Sequence, residues 1–446
     1  MDLLSALFRR LCEALVALYF PARSLANREL LPRADRVILV ANHPNGLLDP
    51  LVLRICTGIP ARFLAKSTLF SNAFWRFAMG SFGAIPVFRK QDAAPGEDTR
   101  DGNERTFALC RKAIAAREPL ALFPEGVSHA DAHIHPLKTG AARIALSADE
   151  ELGSVSEITI VPVGLEYESR STFRSRVLAV VGQPIDVSAF REQYKGDPRA
   201  AVDALTDEIA ARLKALVVQA STRAVLDGVA RVAVWTGDPA LRDDLDARHD
   251  RAQKLAEAFA TIEASAPNHA EEIVREVREY DRILRALGVE DPWGLEVGRV
   301  RLSKALVVAA WLVAMAPLAL VGALLSWAPY RLVGVLANRY TKNEDVLGSV
   351  KLLGGMIFVG LAWIIELALA LWLFGPWAAL ALALVAPVTG YVALRFDEEL
   401  ALALAALRHG WLRTSKPLLV ARLADRRRAL ADAVASALER AQSPES

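Results

Sequence analysis

The sequence RVILVANHPNGLLDP, residues 36–50, combines an apolar run with two side chains of catalytic type. The run 36–41 has the length and composition of a strand that is buried on both faces of a parallel sheet. His43 and Asp49 follow it within one loop or helical turn. Because α/β proteins place their chemistry beyond the carboxyl ends of such strands, this loop is the candidate active site.

A second motif of the same kind is ALFPEG, residues 121–126. It predicts another short apolar strand, followed by a turn that carries Glu125 and Gly126. Parallel strands end at the same edge of a sheet, so this turn is expected near the first motif. From residue 30 to about 186 the chain alternates apolar strands with helical stretches. This alternation predicts an α/β domain with a mostly parallel sheet flanked by helices.

The first motif suits general-base catalysis on a substrate hydroxyl. Imidazole titrates near neutrality, so His43 can take a proton from an alcohol as it attacks an electrophile. Asp49 would hold the ring in one tautomer and stabilise the imidazolium, with the substrate itself as the nucleophile. In the alternative interpretation His43 is an ordinary loop residue and Asp49 only caps a helix that begins at Pro50.

Four blocks in this order resemble the glycerolipid acyltransferase family, typified by lysophosphatidate and glycerol-3-phosphate acyltransferases. They are Asn42-His43 to Asp49, GAIPVFR at 83–89, FPEG at 123–126 and IVPV at 160–163. The resemblance covers roughly residues 35–185. It implies an O-acyltransferase that moves a fatty acyl group from acyl-CoA or acyl-carrier protein to a phosphorylated glycerol or lysolipid. No metal or redox cofactor is required for that reaction.

The first block departs from the commonest pattern of the family, because five residues rather than four separate His43 from Asp49. This spacing resembles the branch of fungal-type glycerol-3-phosphate and dihydroxyacetone-phosphate acyltransferases, as does the stretch from Ser128-His129 to PLKTGA at 136–141. The resemblance favours glycerol-3-phosphate as acceptor and keeps lysophosphatidate or another lysolipid as the alternative. It leaves open whether His43 and Asp49 can form a hydrogen bond at this spacing.

An acceptor that carries a phosphate needs fixed cations. By resemblance, Lys66 and Arg89 are the first candidates, with Lys138 and Asn45 as further acceptor-binding residues. Glu125 either orders the hydroxyls of the acceptor or caps a helix that begins near Gly126. Gly126 lets the backbone approach a ligand closely, and its amide is a candidate oxyanion donor.

The segment HADAHIH, residues 129–135, places four potential metal ligands at alternate positions. On a strand, alternation would point them all to one side, as a zinc site requires. The sequence favours the simpler interpretation, a flexible polar segment before Pro136, and we therefore predict no metal.

The composition indicates a membrane protein. Of the 446 residues 53% are hydrophobic, and the mean hydropathy is +0.26. A net charge of +2 gives no indication of a nucleic-acid partner. Membrane lipids are the expected surroundings, with the catalytic domain facing the cytoplasm at a bacterial inner membrane.

Five regions are predicted along the chain. Residues 1–30 form an amphipathic membrane-contact helix, although a helix packed on the domain core is the alternative. The catalytic domain spans 31–190, with strands near 36–41, 83–88, 119–123, 157–165 and 176–182. A helical appendage at 191–300, transmembrane or re-entrant helices at 301–396 and a basic helical tail at 397–446 follow.

Two apolar stretches carry the membrane prediction. Residues 305–327 are uncharged and long enough to cross a bilayer, and 352–394 form a longer stretch interrupted at 374–377. Lys351 and Arg395 flank the second stretch, so the positive-inside rule predicts a hairpin with both ends in the cytoplasm. Basic residues flank the first stretch on both sides too, and a re-entrant bend at Pro317 would account for them. A simple crossing is the alternative, and the sequence does not fix the number of spans.

A more distant alternative is a catalytically silent lipid-binding protein that keeps the fold. The presence of both His43 and Asp49 speaks against it.

Overall fold

The computed structural model describes residues 3–32, 36–88, 100–153, 157–239, 243–289, 292–296 and 302–442. The chain divides into two compact units. The first consists of Met1–Gln219 together with Asn343–Ser349, and the second of Ala220–Lys342 together with Val350–Ser446.

The first unit is built on one sheet, which has eight strands among the described residues. They are β1 (Ala22–Ala26), β2 (Arg36–Ala41), β3 (Arg62–Lys66), β4 (Ile85–Val87), β5 (Leu120–Leu122), β6 (Ile158–Tyr167), β7 (Arg176–Val181) and β8 (Ile185–Asp186). The order is β1-β7-β6-β2-β5-β3-β4, and β8 pairs with β6. All pairs are parallel except β6 with β7 and β6 with β8. The predicted mostly parallel sheet is confirmed.

Helices flank this sheet, as expected. They are α1 (Leu3–Tyr19), α2 (Leu48–Thr57), α3 (Ala73–Ser81), α4 (Arg100–Ala115), α5 (Gly140–Leu152), α6 (Arg191–Gly196) and α7 (Pro198–Ala215). Ile38 and Val40 of β2 pack into a core with α4, α5 and α7. The alternate residues Val37 and Leu39 are buried too. Burial of both faces explains why β2 is apolar at every position.

Three strands have no counterpart in the sequence-based prediction: β1, β3 and β8. β1 lies within the stretch 1–30 that was assigned to a membrane-contact helix, yet it pairs with β7 and so belongs to the sheet. β1 and β3 are five residues long and carry exposed or half-exposed arginines at Arg23 and Arg62. Such short segments with charged positions have little apolar periodicity to detect.

Helix α1 has one packed face and one exposed face. Phe8 packs against Phe77 and Phe82, with ring centroids 5.3 and 6.4 Å away, and Glu13 pairs with Arg54 of α2 at 2.7 Å. The exposed apolar side chains are Leu3, Leu4, Leu7 and Leu11. The helix is therefore anchored to the domain while it presents a row of leucines outward.

The second unit is helical. Its helices are α8 (Arg223–Thr236), α9 (Leu245–Ser265), α10 (Pro267–Ala286), α11 (Trp293–Glu296), α12 (Leu302–Tyr340), α13 (Glu344–Phe374), α14 (Pro376–Ser415) and α15 (Pro417–Gln442). The first residues of α13, up to Ser349, belong to the first unit, and the rest of this helix belongs to the second. Thus α6 and α7, predicted as part of the helical appendage, belong to the first unit. In the basic tail, Arg427 is buried, with its guanidinium 3.6 Å from the centroid of the Trp293 ring.

Among the described residues, three helices are long and apolar enough to cross a membrane: Ala305–Tyr340, Glu344–Phe374 and Pro376–Ser415. The predicted interruption near 374–377 is confirmed: α13 ends at Phe374, and α14 begins at Pro376 after the single residue Gly375. The predicted re-entrant bend at Pro317 is wrong, because α12 continues through Pro317 and Pro329. Gly322 of α12 lies against the backbone of Thr389 in α14, a close approach that only small residues permit.

Candidate active site

His43 and Asp49 are joined directly. His43 follows β2, and Asp49 lies in the first turn of α2. The distance from His43 Nδ1 to Asp49 Oδ2 is 2.8 Å, which answers the question raised by the longer spacing. Asp49 is fully buried, whereas 20% of the His43 side chain is exposed. With Nδ1 held by the carboxylate, Nε2 is the atom that can exchange a proton with a ligand.

Asp49 receives two further hydrogen bonds. The Asn45 backbone N–H donates to Oδ2 at 2.7 Å, and the Tyr167 hydroxyl donates to Oδ1 at 2.6 Å. Burial, followed by the nearby Asp49 charge, raises the pKa of Tyr167 well above its usual range, so this hydroxyl stays a donor. Sequence reasoning missed Tyr167, which lies at the end of β6. Three hydrogen-bond partners therefore orient the buried carboxylate.

The loop before His43 is fixed to neighbouring strands. The Asn42 side chain bonds both backbone groups of Leu165, with Nδ2 donating to the carbonyl at 3.1 Å and Oδ1 accepting from the N–H at 2.7 Å. The His43 ring stacks on Phe123, with centroids 4.4 Å apart. These contacts restrict the rotamer of the imidazole.

Glu125 lies beside His43, as the parallel pairing of β2 with β5 requires. Its side chain is only 1% exposed. Oε1 accepts from the His43 backbone N–H at 3.0 Å, while Oε2 accepts from the His135 backbone N–H at 2.8 Å and contacts His129 Nε2. The chain runs through turns and bends at 124–127, so the predicted helix cap is wrong. Glu125 instead ties the His43 loop to the segment 129–135.

Asn45 is fully buried. Its Nδ2 donates to the Arg170 carbonyl at 3.0 Å, and its own carbonyl accepts from Ser349 Oγ at 3.4 Å. A residue without exposed surface cannot reach a ligand in this conformation, so the structure places Asn45 as a support for Asp49 rather than as the predicted acceptor contact.

A segment distant in sequence, residues 343–349, packs onto the same loop. Gly348 lies so close to Asn45 that an added Cβ would be 2.8 Å from Asn45 Oδ1 and 2.5 Å from the Arg170 carbonyl. Asp345 Oδ2 accepts a hydrogen bond from Ser128 Oγ at 2.5 Å. No motif signalled this segment, because its role depends on contacts across some 300 residues of chain.

The predicted phosphate-binding cations are placed as follows. Lys66 is exposed at the carboxyl end of β3, which pairs with β5 and thus ends at the same edge as β2. Lys138 is exposed, and its backbone N–H donates to the Pro124 carbonyl at 2.7 Å. Arg89 lies outside the described residues.

Gly126 adopts a φ of +75°, a conformation that favours glycine, and its missing side chain leaves room for the Lys138 stem. The Gly126 N–H donates to the Phe123 carbonyl at 3.0 Å. This amide is therefore engaged within its own turn, and the geometry gives no support to the predicted oxyanion role.

Comparison with known proteins finds acyltransferases among the relatives of this chain. Residues 23–166 match the protein-family model described as Acyltransferase. Glycerol-3-phosphate O-acyltransferases 2 and 1 of Saccharomyces cerevisiae are 35% and 33% identical over 108 and 111 residues. Each match covers 24% of this chain and 14% of the yeast protein, so the chain spans only a small part of the length of these relatives.

Among solved structures, the 1-acyl-sn-glycerophosphate (LPA) acyltransferase PlsC from Thermotoga maritima is 19% identical, with a TM-score of 0.33. That match covers 47% of this chain and 80% of PlsC. The family model spans all four sequence blocks, from Asn42 to residue 163, which confirms the resemblance found in the sequence. Residues 23–166 are therefore similar to the acyltransferase family.

Proposed function

We propose that this protein is a membrane-bound O-acyltransferase that transfers a fatty acyl group from a thioester donor to the hydroxyl of glycerol-3-phosphate. The observation that carries the proposal is the hydrogen bond between His43, whose side chain is 20% exposed, and the buried Asp49. A histidine held in this way is oriented to act as a general base. Acyl-CoA or acyl-carrier protein supplies the thioester.

In the proposed reaction His43 Nε2 takes the proton of the acceptor hydroxyl while the hydroxyl oxygen attacks the thioester carbonyl carbon. The tetrahedral intermediate collapses, the carbon–sulfur bond breaks, and the leaving thiolate takes the proton back from the imidazolium. Asp49 stabilises the imidazolium between these two transfers. The products are an ester and a free thiol, and no acyl-enzyme forms.

Acceptor choice rests on the cations near the site. Lys66 and Lys138 are exposed, and a phosphate needs such donors. Arg89 completes the proposed set from its sequence block. The yeast relatives are named for glycerol-3-phosphate, which favours this acceptor, and lysophosphatidate or another lysolipid is the alternative.

The proposed location is a membrane, with the acyltransferase domain on the cytoplasmic side of a bacterial inner membrane. Three long apolar helices support membrane association, and the exposed leucines of α1 offer a second contact with lipid. Such a location would place the domain where a water-soluble acceptor and a lipid product meet.

The test is acyl transfer by the detergent-purified full chain, with labelled acyl-CoA or acyl-carrier protein and with glycerol-3-phosphate and lysophosphatidate in parallel. His43→Ala should abolish transfer, whereas His269→Ala, at an exposed position of α10, should not. The preferred acceptor identifies the substrate. Equal transfer by wild type and a folded His43→Ala variant would exclude His43 as the base. Absence of transfer by folded wild type with both donors and both acceptors would instead favour the non-catalytic lipid-binding function.

A further inference from the structure

A cluster of three potential metal ligands lies beside the acyl-transfer site. One ligand atom from each of His129, Asp131 and His135 falls within 4.8 Å of the others. We propose that these three residues bind one divalent transition-metal ion of the zinc type, a site that the acyl-transfer reaction does not require.

The tautomer of His129 suits metal binding. Its Nε2 contacts the buried Glu125 carboxylate and therefore carries the ring hydrogen. Its Nδ1 therefore carries the one lone pair of the ring, which accepts a long hydrogen bond of 3.3 Å from the Asp131 backbone N–H, so an ion that binds at Nδ1 takes the place of that N–H. A carboxylate that holds one ring nitrogen while the other faces the metal is the usual arrangement around metal-bound histidines.

The ligand atoms of the cluster lie within reach of one small ion. Bonds of about 2.0–2.1 Å to a tetrahedral zinc ion place ligand atoms about 3.3–3.5 Å apart. Asp131 Oδ2 lies 3.8 Å from His129 Nδ1 and 2.6 Å from His135 Nε2. The two imidazole rings are stacked, with centroids 3.7 Å apart and planes at 5°. Because lone pairs in parallel ring planes cannot meet at one point, at least one ring must rotate out of the stack when an ion binds.

The charge balance of binding is simple. In the metal-free cluster one proton lies between His135 Nε2 and Asp131 Oδ2. A divalent ion takes the place of this proton: the ring hydrogen of neutral His135 moves to Nδ1 by exchange with solvent, Nε2 then offers its lone pair to the metal, and Asp131 binds as the carboxylate, with no net release of a proton. Two imidazoles and one carboxylate form a donor set suited to zinc, with the remaining position open to water.

A metal here would act on the catalytic loop through Glu125. The ligand His129 contacts Glu125, and the backbone N–H groups of His135 and His43 donate to the two Glu125 oxygens. The His129 backbone N–H also donates to the His43 carbonyl at 3.2 Å. Ordering of residues 129–135 by an ion is therefore expected to order the loop that carries the base.

The experiment uses the full chain in detergent, stripped with a chelator and dialysed. Zinc binding is measured by competition with a chromophoric chelator, and cobalt is added separately to record the visible bands of a protein-bound ion. We expect one zinc per chain, a rise in melting temperature with zinc, and at least about a 10-fold loss of affinity in His135→Ala and Asp131→Ala.

His133→Ala is the matched control, because His133 lies in the same exposed segment but outside the cluster. It should bind zinc like the wild type. The absence of stoichiometric zinc binding by folded wild type, or an equal loss in His133→Ala and His135→Ala, would overturn the proposal. Neither result depends on acyl transfer, so the metal site and the proposed function are tested separately.

Discussion

Ser128 Oγ donates a 2.5 Å hydrogen bond to Asp345 Oδ2, which joins the loop after β5 to residues 343–349 at the start of α13. Ser128 precedes His129, whose backbone N–H bonds the His43 carbonyl. The catalytic loop is therefore held by a segment that the family match at 23–166 does not include. This arrangement makes the start of α13 a support of the active site.

The first prediction concerns Gly348. In Gly348→Ala the added Cβ meets backbone and the buried Asn45 side chain at 2.5–2.8 Å, so Asn45 or the start of α13 must move. Since the Asn45 N–H bonds Asp49, we expect a clear loss of kcat together with lower stability, about 1–3 kcal/mol for such overpacking. Acyl transfer and thermal unfolding measure both effects.

Gly355→Ala is the control for this prediction. Gly355 lies in the same helix and has open space around its ideal Cβ position. It should therefore leave transfer and stability unchanged. Full activity in Gly348→Ala would show that residues 343–349 do not support the site.

The second prediction concerns Tyr167. Tyr167→Phe leaves Asp49 Oδ1, a buried anionic oxygen, without the donor that now lies 2.6 Å away. The expected cost is about 1–3 kcal/mol of stability, since a buried acceptor loses its partner. We also expect a loss of kcat, because the carboxylate that orients the His43 ring is itself held less firmly.

Tyr194→Phe on α6 is the control. Tyr194 is half-buried, and within the described part of the chain its hydroxyl forms no hydrogen bond. It should behave as wild type in both assays. A Tyr167→Phe enzyme with wild-type stability and wild-type kcat would show that this hydroxyl does not position Asp49.

The third prediction separates two roles of Glu125. The carboxylate accepts from His43 and His135 backbone N–H groups, so Glu125→Gln places an amide group where an acceptor is needed. We expect a loss of kcat and about 1–3 kcal/mol of stability, with little change in KM for the acceptor. A rise in KM at full stability would instead support the role that the sequence suggested, contact with acceptor hydroxyls. Glu118→Gln, an exposed partner of Arg62, serves as the control.

The sheet and the His43–Asp49 pair can be predicted from the sequence because the strand that precedes them has a clear pattern. An apolar run buried on both faces marks a central strand, and parallel pairing fixes where β2 and β5 end. Tyr167 and Gly348 were missed because their roles come from tertiary contacts with residues more than 100 positions away. Asn45 illustrates the same limit, since its motif position suggested ligand contact and its burial shows support instead.

The fourth prediction concerns the acceptor phosphate. Lys66→Ala and Lys138→Ala each remove one exposed cation near the carboxyl edge of the sheet. If these residues bind the phosphate, each variant should raise KM for glycerol-3-phosphate at least about 10-fold, the value of one lost charge-assisted hydrogen bond, with a smaller effect on kcat. Lys195→Ala, an exposed lysine of α6 paired with Glu192, is the control. Steady-state kinetics with the acceptor varied at saturating donor measures the effect. An unchanged KM in both variants would remove these lysines from the acceptor site and leave Arg89 as the remaining candidate.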